Sequence, residues 1–211
     1  SHLVGNGKLL RRIIEEKKLF SMIFWGPPGT GKTTLARIIA QTTNAVMKEI
    51  SAVSSGVKDL RTVISMGNTN REMGKQTLLF IDEIHRFNKS QQDALLHAVE
   101  EGTIILIGAT TENPSFEVIS PLLSRCRVLT LRTLEESHLE SILGHAFNTD
   151  IILSQLHIKI ESNIQGKLIQ SAGGDARKML NTLDVAVQLL GEEKKITDEI
   201  LSEAIQSKTL I

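Results

Sequence analysis

Eight residues, Gly26-Pro27-Pro28-Gly29-Thr30-Gly31-Lys32-Thr33, follow the apolar run Ile23-Phe24-Trp25 and precede a helical pattern. The glycines let backbone N–H groups turn inward on phosphate oxygens. A helix that starts there aims the positive end of its dipole at the same oxygens. Lys32 supplies a point charge for the β- and γ-phosphates, and the Thr33 hydroxyl can hold Mg²⁺. Pro27, Pro28, Thr30 and Thr34 complete the expected nucleotide contacts. The alternative, a Gly/Pro-rich turn between a strand and a helix, does not explain the full spacing together with both flanks. The second constellation is Leu78-Leu79-Phe80-Ile81-Asp82-Glu83. An apolar strand here delivers two carboxylates to a sheet edge. Asp82 is expected to orient Mg²⁺, directly or through water, and Glu83 to activate the attacking water as general base. Alone, the segment also reads as a strand followed by an acidic helix cap. Downstream of a phosphate loop, the carboxylate pair favours hydrolysis over nucleotide storage.

These groups need elements to position them. Strands are expected at Ser21–Trp25, Val46–Ser51, Thr77–Ile81, Ile104–Ala109 and Arg127–Leu131, with helices at Thr33–Thr42, Val57–Met66, Ser90–Glu100 and Pro121–Cys126. Gly67–Gln76 reads as polar and turn-like, and residues 7–19 as an amphipathic helix. Alternation of strand and helix implies α/β architecture with a parallel sheet covered on both faces. After Leu131 the pattern becomes strand-poor, with helical periodicity at 134–146, 150–155, 161–172, 175–190 and 197–206. The expected organisation is a nucleotide-binding α/β domain over 1–132 and a small all-α lid domain over 133–211.

Composition sets outer bounds. The 211 residues are 41% hydrophobic and 23% charged, which is ordinary for a soluble globular chain. No apolar run approaches the roughly 18 residues of a membrane span. The single cysteine, Cys126, excludes an internal disulfide, and the absence of a visible signal peptide fits a cytoplasmic setting. Six histidines without zinc-type spacing give no reason to expect a structural metal. The net charge is zero, yet residues 1–131 carry 16 Lys/Arg against 12 Asp/Glu, and residues 132–211 carry 8 against 12. That asymmetry does not by itself establish a nucleic-acid partner.

With these residues in place, the chain resembles the AAA+ ATPases of the P-loop class. Gly26–Thr33 is similar to Walker A and Leu78–Glu83 to Walker B. Ala109-Thr110-Thr111 resembles sensor 1, with Thr111 aligning best with the residue that positions water and γ-phosphate. Ser124-Arg125-Cys126 is similar to the clamp-loader motif whose arginine reaches a neighbouring subunit's nucleotide. Gly174-Asp175-Ala176-Arg177 resembles sensor 2, which makes Arg177 a nucleotide contact from the lid. The resemblance implies catalytic roles for Lys32, Glu83, Thr111, Arg125 and Arg177, with ATP and Mg²⁺ as cofactors. Taken singly, each of the last three also reads as an ordinary strand end, surface arginine or helix arginine.

Three longer strings narrow the resemblance to the RarA/MgsA replication-associated recombination family, which is related to the Werner-helicase-interacting protein. They are residues 51–59, 85–93 and 108–116. The family implies a DNA-dependent, clamp-loader-like ATPase acting at stalled forks and DNA ends. It implies a homo-oligomer associated with single-strand-binding protein, located in the cytoplasm with the nucleoid. It further implies that Leu3 and Val4 belong to a segment covering the adenine, and that the family's chain extends on both sides of this one. Lys58, Arg86 and Lys89 are candidates for DNA phosphate contacts, though each also reads as a solvated basic residue. A protein unfoldase, or a nucleotide-dependent binding platform with little hydrolysis, are the competing functions. The first lacks an evident aromatic-hydrophobic-Gly pore loop, and the second does not explain Asp82-Glu83.

Overall fold

A computed structural model describes residues 16, 18–156, 158–191 and 194–207. The expected helix over 7–19 lies largely outside the described residues, as do Leu3 and Val4. Contacts divide the chain into two compact units. The first runs to Gly26 and again from Gly31 to Leu131; the second takes Pro27–Thr30 and resumes at Arg132.

The first unit is built on five parallel strands: β1 (Met22–Trp25), β2 (Val46–Ser51), β3 (Thr77–Asp82), β4 (Ile105–Thr110) and β5 (Arg127–Thr130). Their spatial order is β2-β3-β4-β1-β5, so β4 separates the two strands that carry the phosphate loop and the carboxylates. Alternate residues of the central strands point to opposite faces, and both faces are apolar. Ile23, Leu79, Ile81 and Leu106 pack on one side with Leu60 and Leu95, from the helices Val57–Glu72 and Lys89–Glu100. Met22, Phe24, Leu78, Phe80 and Ile107 pack on the other with Ala36 and Ile39, from the helix Lys32–Thr43. Burying two faces is why these strands read as continuous apolar runs instead of alternating ones.

Local signals fix the helix ends. Asn88 caps the helix Lys89–Glu100: its Oδ1 accepts from Gln91 N at 3.0 Å, and Gln91 Oε1 accepts from Asn88 N at 3.0 Å. This is a reciprocal capping box. Asn44, at φ 54°, closes the helix Lys32–Thr43 in the left-handed conformation that asparagine tolerates.

One expectation fails. Residues 67–72, read as turn-like, continue the helix Val57–Glu72. Their polar side chains have partners distant in sequence, which local reading cannot supply. Asn68 Oδ1 accepts from Thr103 Oγ1 at 3.2 Å, Asn70 Nδ2 donates to Thr77 Oγ1 at 2.9 Å, and Arg71 Nη1 donates to Glu101 O at 2.9 Å. Gly67 is there for closeness, since an added Cβ would stand 2.8 Å from Thr103 O.

The second unit contains the helices Glu136–Thr149, Ile151–Leu156, Ser162–Ala172, Ala176–Gln188 and Asp198–Gln206. Its core joins Leu139, Leu143, Leu168, Met179, Leu183 and Leu201. A two-residue parallel ladder, β6 (Lys159–Ile160) with β7 (Lys195–Ile196), was not foreseen in the sequence. Gly174, at φ 85°, turns the chain into the helix Ala176–Gln188, and its N-cap Asp175 accepts from Lys178 N at 2.9 Å. Within the same unit Ala176 N donates to Gly29 O at 3.2 Å, and Asp175 fills the space that a Gly29 Cβ would need.

Replacing Gly67 with valine drives a branched side chain into Thr103. Overpacking of this kind costs about 1–3 kcal/mol. The Gly67→Val protein is expected to unfold at lower denaturant concentration than the parent, measured by circular dichroism.

Candidate active site

The phosphate loop leaves the sheet at the end of β1. Gly26 N donates to Thr110 O at 3.2 Å, adding one rung to the β1–β4 ladder, whose last pair is Trp25–Thr110. Gly26 admits no side chain, because a Cβ would lie 2.2 Å from Leu131 O. Gly31 caps the following helix at φ 87°, and a Cβ added there would enter open space. No side chain caps this helix and no acidic residue stands in its first turn. Its leading N–H groups and dipole are therefore directed at whatever anion occupies the open side of the loop. Lys32 is only 8% exposed, and its Nζ donates to Gly26 O at 2.8 Å. The side chain thus arches back over its own loop. Thr33 is half-buried and Thr34 exposed. These residues fit a bound phosphate.

The carboxylates arrive on β3. Asp82 is its last residue, paired with Ser51 of β2, and Asp82 O accepts from Ala52 N at 3.0 Å. Glu83 then takes a left-handed conformation, φ 53° and ψ 48°, which is uncommon outside glycine, asparagine and aspartate. The turn is closed by Arg86 N donating to Glu83 O at 2.8 Å. Glu83 Oε2 is buried and has no hydrogen bond among the described residues, with His85 Nδ1 3.2 Å away. A buried acceptor without an aligned donor is costly, and in a native structure it calls for an explanation.

At the end of β4, Thr110 is fully buried. Its Oγ1 accepts from Glu112 N at 3.0 Å and donates to Glu112 O at 3.2 Å, and it lies 2.9 Å from His85 Nδ1. Thr111 is the first residue past the strand and is half-buried. Lys32, Asp82, Glu83 and the Thr110-Thr111 pair thus share the carboxyl-terminal edge of one sheet. The sequence offers His85 only as the first residue of the 85–93 string, with no role of its own; its place two residues after Glu83 is the signal that could have found one.

Arg125 follows the short helix Ser120–Ser124. Its guanidinium pairs with Glu100 and donates to Pro121 O at 2.9 Å and Ser124 Oγ at 3.0 Å. Both members of the pair are substantially exposed. Arg177 belongs to the second unit, with an exposed side chain in the first turn of the helix Ala176–Gln188. Lys58, Arg86 and Lys89 are all exposed. Gln91 Nε2 donates to Ser55 O at 3.5 Å, which sets the loop before Lys58 beside the helix that Lys89 opens. Burial pushes the Cys126 thiol up to about 12, so it is no nucleophile near neutral pH. Among the described residues no cluster of three His, Cys, Asp or Glu could hold a metal ion, and no helix is long and apolar enough to cross a membrane.

A strand-loop-helix with an uncapped helix start, beside a strand that leads into Asp82-Glu83, defines a P-loop fold. Residues 22–134 match the model of the ATPase family associated with various cellular activities (AAA), and residues 154–211 match an AAA C-terminal domain. The chain belongs to the AAA family. It is 49% identical over 209 residues to replication-associated recombination protein A of Haemophilus influenzae, covering 97% of this chain and 47% of that protein. It is 45% identical to the ATPase WRNIP1 of Dictyostelium discoideum, covering 92% of this chain and 22% of that one. The chain thus spans about half the length, or less, of these relatives. The Thermotoga maritima RuvB Holliday junction branch migration motor superposes with a TM-score of 0.73 at 26% identity, covering 94% of this chain and 65% of that one.

Lys32→Ala removes the charge held over the loop. Hydrogen bonds to charged groups contribute about 1.5–3 kcal/mol, so ATP binding is expected to weaken by about ten- to a hundredfold. Titration followed by the fluorescence of Trp25, the single tryptophan of the chain, measures this.

Proposed function

We propose that this chain hydrolyses ATP with Mg²⁺, and that the intact protein couples hydrolysis to remodelling of DNA at stalled forks and recombination intermediates as a clamp-loader-like homo-oligomer. The observation that carries the hydrolytic reading is one sheet edge. It combines an uncapped helix N-terminus bearing the buried Lys32 with the buried Oε2 of Glu83, which has no hydrogen bond among the described residues. In this reading Lys32 and the loop N–H groups hold the phosphates, and Glu83 accepts a proton from the attacking water. Thr33 and Asp82 would hold Mg²⁺, which neutralises charge on the phosphates. Thr111 orients water and γ-phosphate at the end of β4.

Two arginines complete the proposal. Arg125, exposed at the surface of its unit, serves a neighbouring subunit's nucleotide, and Arg177 brings charge from the helical lid. The DNA part is supported by the similarity to proteins named for replication-associated recombination and for Holliday junction branch migration. Lys58, Arg86 and Lys89 form the proposed phosphate-contacting surface, reading backbone charge without sequence preference. Single-strand-binding protein is the further partner that the family resemblance implies.

Glu83→Gln is expected to lower turnover by about 10²–10⁴ while ATP still binds. Undiminished turnover in a steady-state phosphate-release assay would remove Glu83 from the chemistry. In the intact protein, hydrolysis is expected to rise with forked or gapped DNA. Arg125→Ala should lower the stimulated rate by about 10³–10⁵, the range an arginine finger contributes. Stimulation by unfolded protein in place of DNA would redirect the reading to a protein substrate.

A further inference from the structure

We propose that His85 is the positioning residue for Glu83, tying the proposed general base to the end of β4 through Thr110. The inference rests on the hydrolytic reading above and adds a residue to it. His85 lies in the short turn Ile84–Arg86, and its side chain is 12% exposed. Its Nδ1 stands 2.9 Å from Thr110 Oγ1 and 3.2 Å from Glu83 Oε2. One nitrogen therefore faces two oxygens on two different elements.

The hydrogen-bond inventory decides what that nitrogen carries. The Thr110 hydroxyl can donate or accept, so its 2.9 Å contact is compatible with either tautomer. Glu83, when ionised, is acceptor-only. The carboxylate therefore selects an imidazole with hydrogen on Nδ1. An unprotonated Nδ1 would set a lone pair against a carboxylate oxygen 3.2 Å away.

The hydrogen bond runs to Thr110, and Glu83 Oε2 has none among the described residues. The His85 Nδ1, already anchored on β4, stands 3.2 Å from that oxygen. A small rotation of the ring or of the Glu83 carboxylate passes the donor from the threonine to the glutamate. The left-handed turn at Glu83 lets residues 83 and 85 meet at one point while Ile84 between them stays buried in the core. This arrangement fixes where the base can stand and couples its position to the strand that ends in Thr110-Thr111. His85 touches no reacting atom in this scheme; it acts through Glu83.

The tautomer is tested without any substitution, by ¹⁵N NMR of the imidazoles in the intact protein. Hydrogen on Nδ1 of His85 is expected, and an unprotonated Nδ1 overturns the proposal. The functional test compares His85→Leu, which removes the donor, with His85→Asn, whose amide places an N–H near the Nδ1 position. Misplacing a catalytic group can cost up to about a hundredfold, so His85→Leu is expected to lower kcat by about ten- to a hundredfold. ATP affinity should stay within about twofold, with His85→Asn recovering most of the rate. A leucine variant with unchanged kcat, or an asparagine variant as slow as leucine, overturns the proposal. Glu83→Gln separates the two levels: full turnover there sinks the general-base reading itself, whereas an inactive Glu83→Gln beside an active His85→Leu sinks only the role of His85.

Discussion

The parallel pairing of β3, β4 and β1 is the constraint on which the rest depends. A parallel sheet sends every strand's carboxyl end to one edge, which is where ligands of open α/β sheets are received. Here that edge holds the phosphate loop after Trp25, the Asp82-Glu83 pair and Thr110. None of these groups is near the others in sequence. Their spacing is set by register: Trp25 opposite Thr110, and Ile81 opposite Gly108. A one-residue slip would exchange the two faces of a strand. Both faces are apolar and buried, so burial alone discriminates weakly between registers. Side-chain shape does so instead, as at Gly108, where a Cβ would stand 2.8 Å from Ile23 and 2.9 Å from Ile84.

Most of this architecture is legible from the chain because its signals are local. The strands of the first unit are apolar runs bounded by loops, and the helices of both units follow their periodicity to within a few residues. The phosphate loop and the paired carboxylates are legible for the same reason, since each is a short contiguous string. What escapes reading depends on distant partners. The helix Val57–Glu72 continues through Gly67, Asn68, Thr69 and Asn70, residues that disfavour helix when considered alone. It does so because Thr77, Glu101 and Thr103 satisfy it from elsewhere. The His85–Thr110 contact escapes likewise, joining positions 25 residues apart whose types give no hint of each other.

The two kinds of polar group in the first unit also differ in how they are held. Lys32 and Thr110 are buried, with bonds to backbone atoms at or just beyond the ends of β1 and β4. Low local dielectric strengthens such bonds and makes their loss expensive. The basic residues Lys58, Arg86 and Lys89 stand exposed near helix starts.

Arg125 falls between these two kinds. Its neighbours Pro121, Ser124 and Glu100 orient the guanidinium, yet the carboxylate that balances its charge is open to water. Exposed ion pairs contribute about 0–1 kcal/mol. That is on the order of thermal energy, so the guanidinium is aimed without being committed. A charge on so loose a leash changes hands almost freely. Exchanging Glu100 for another anion therefore costs the guanidinium little, while Pro121 and Ser124 keep it pointed the same way.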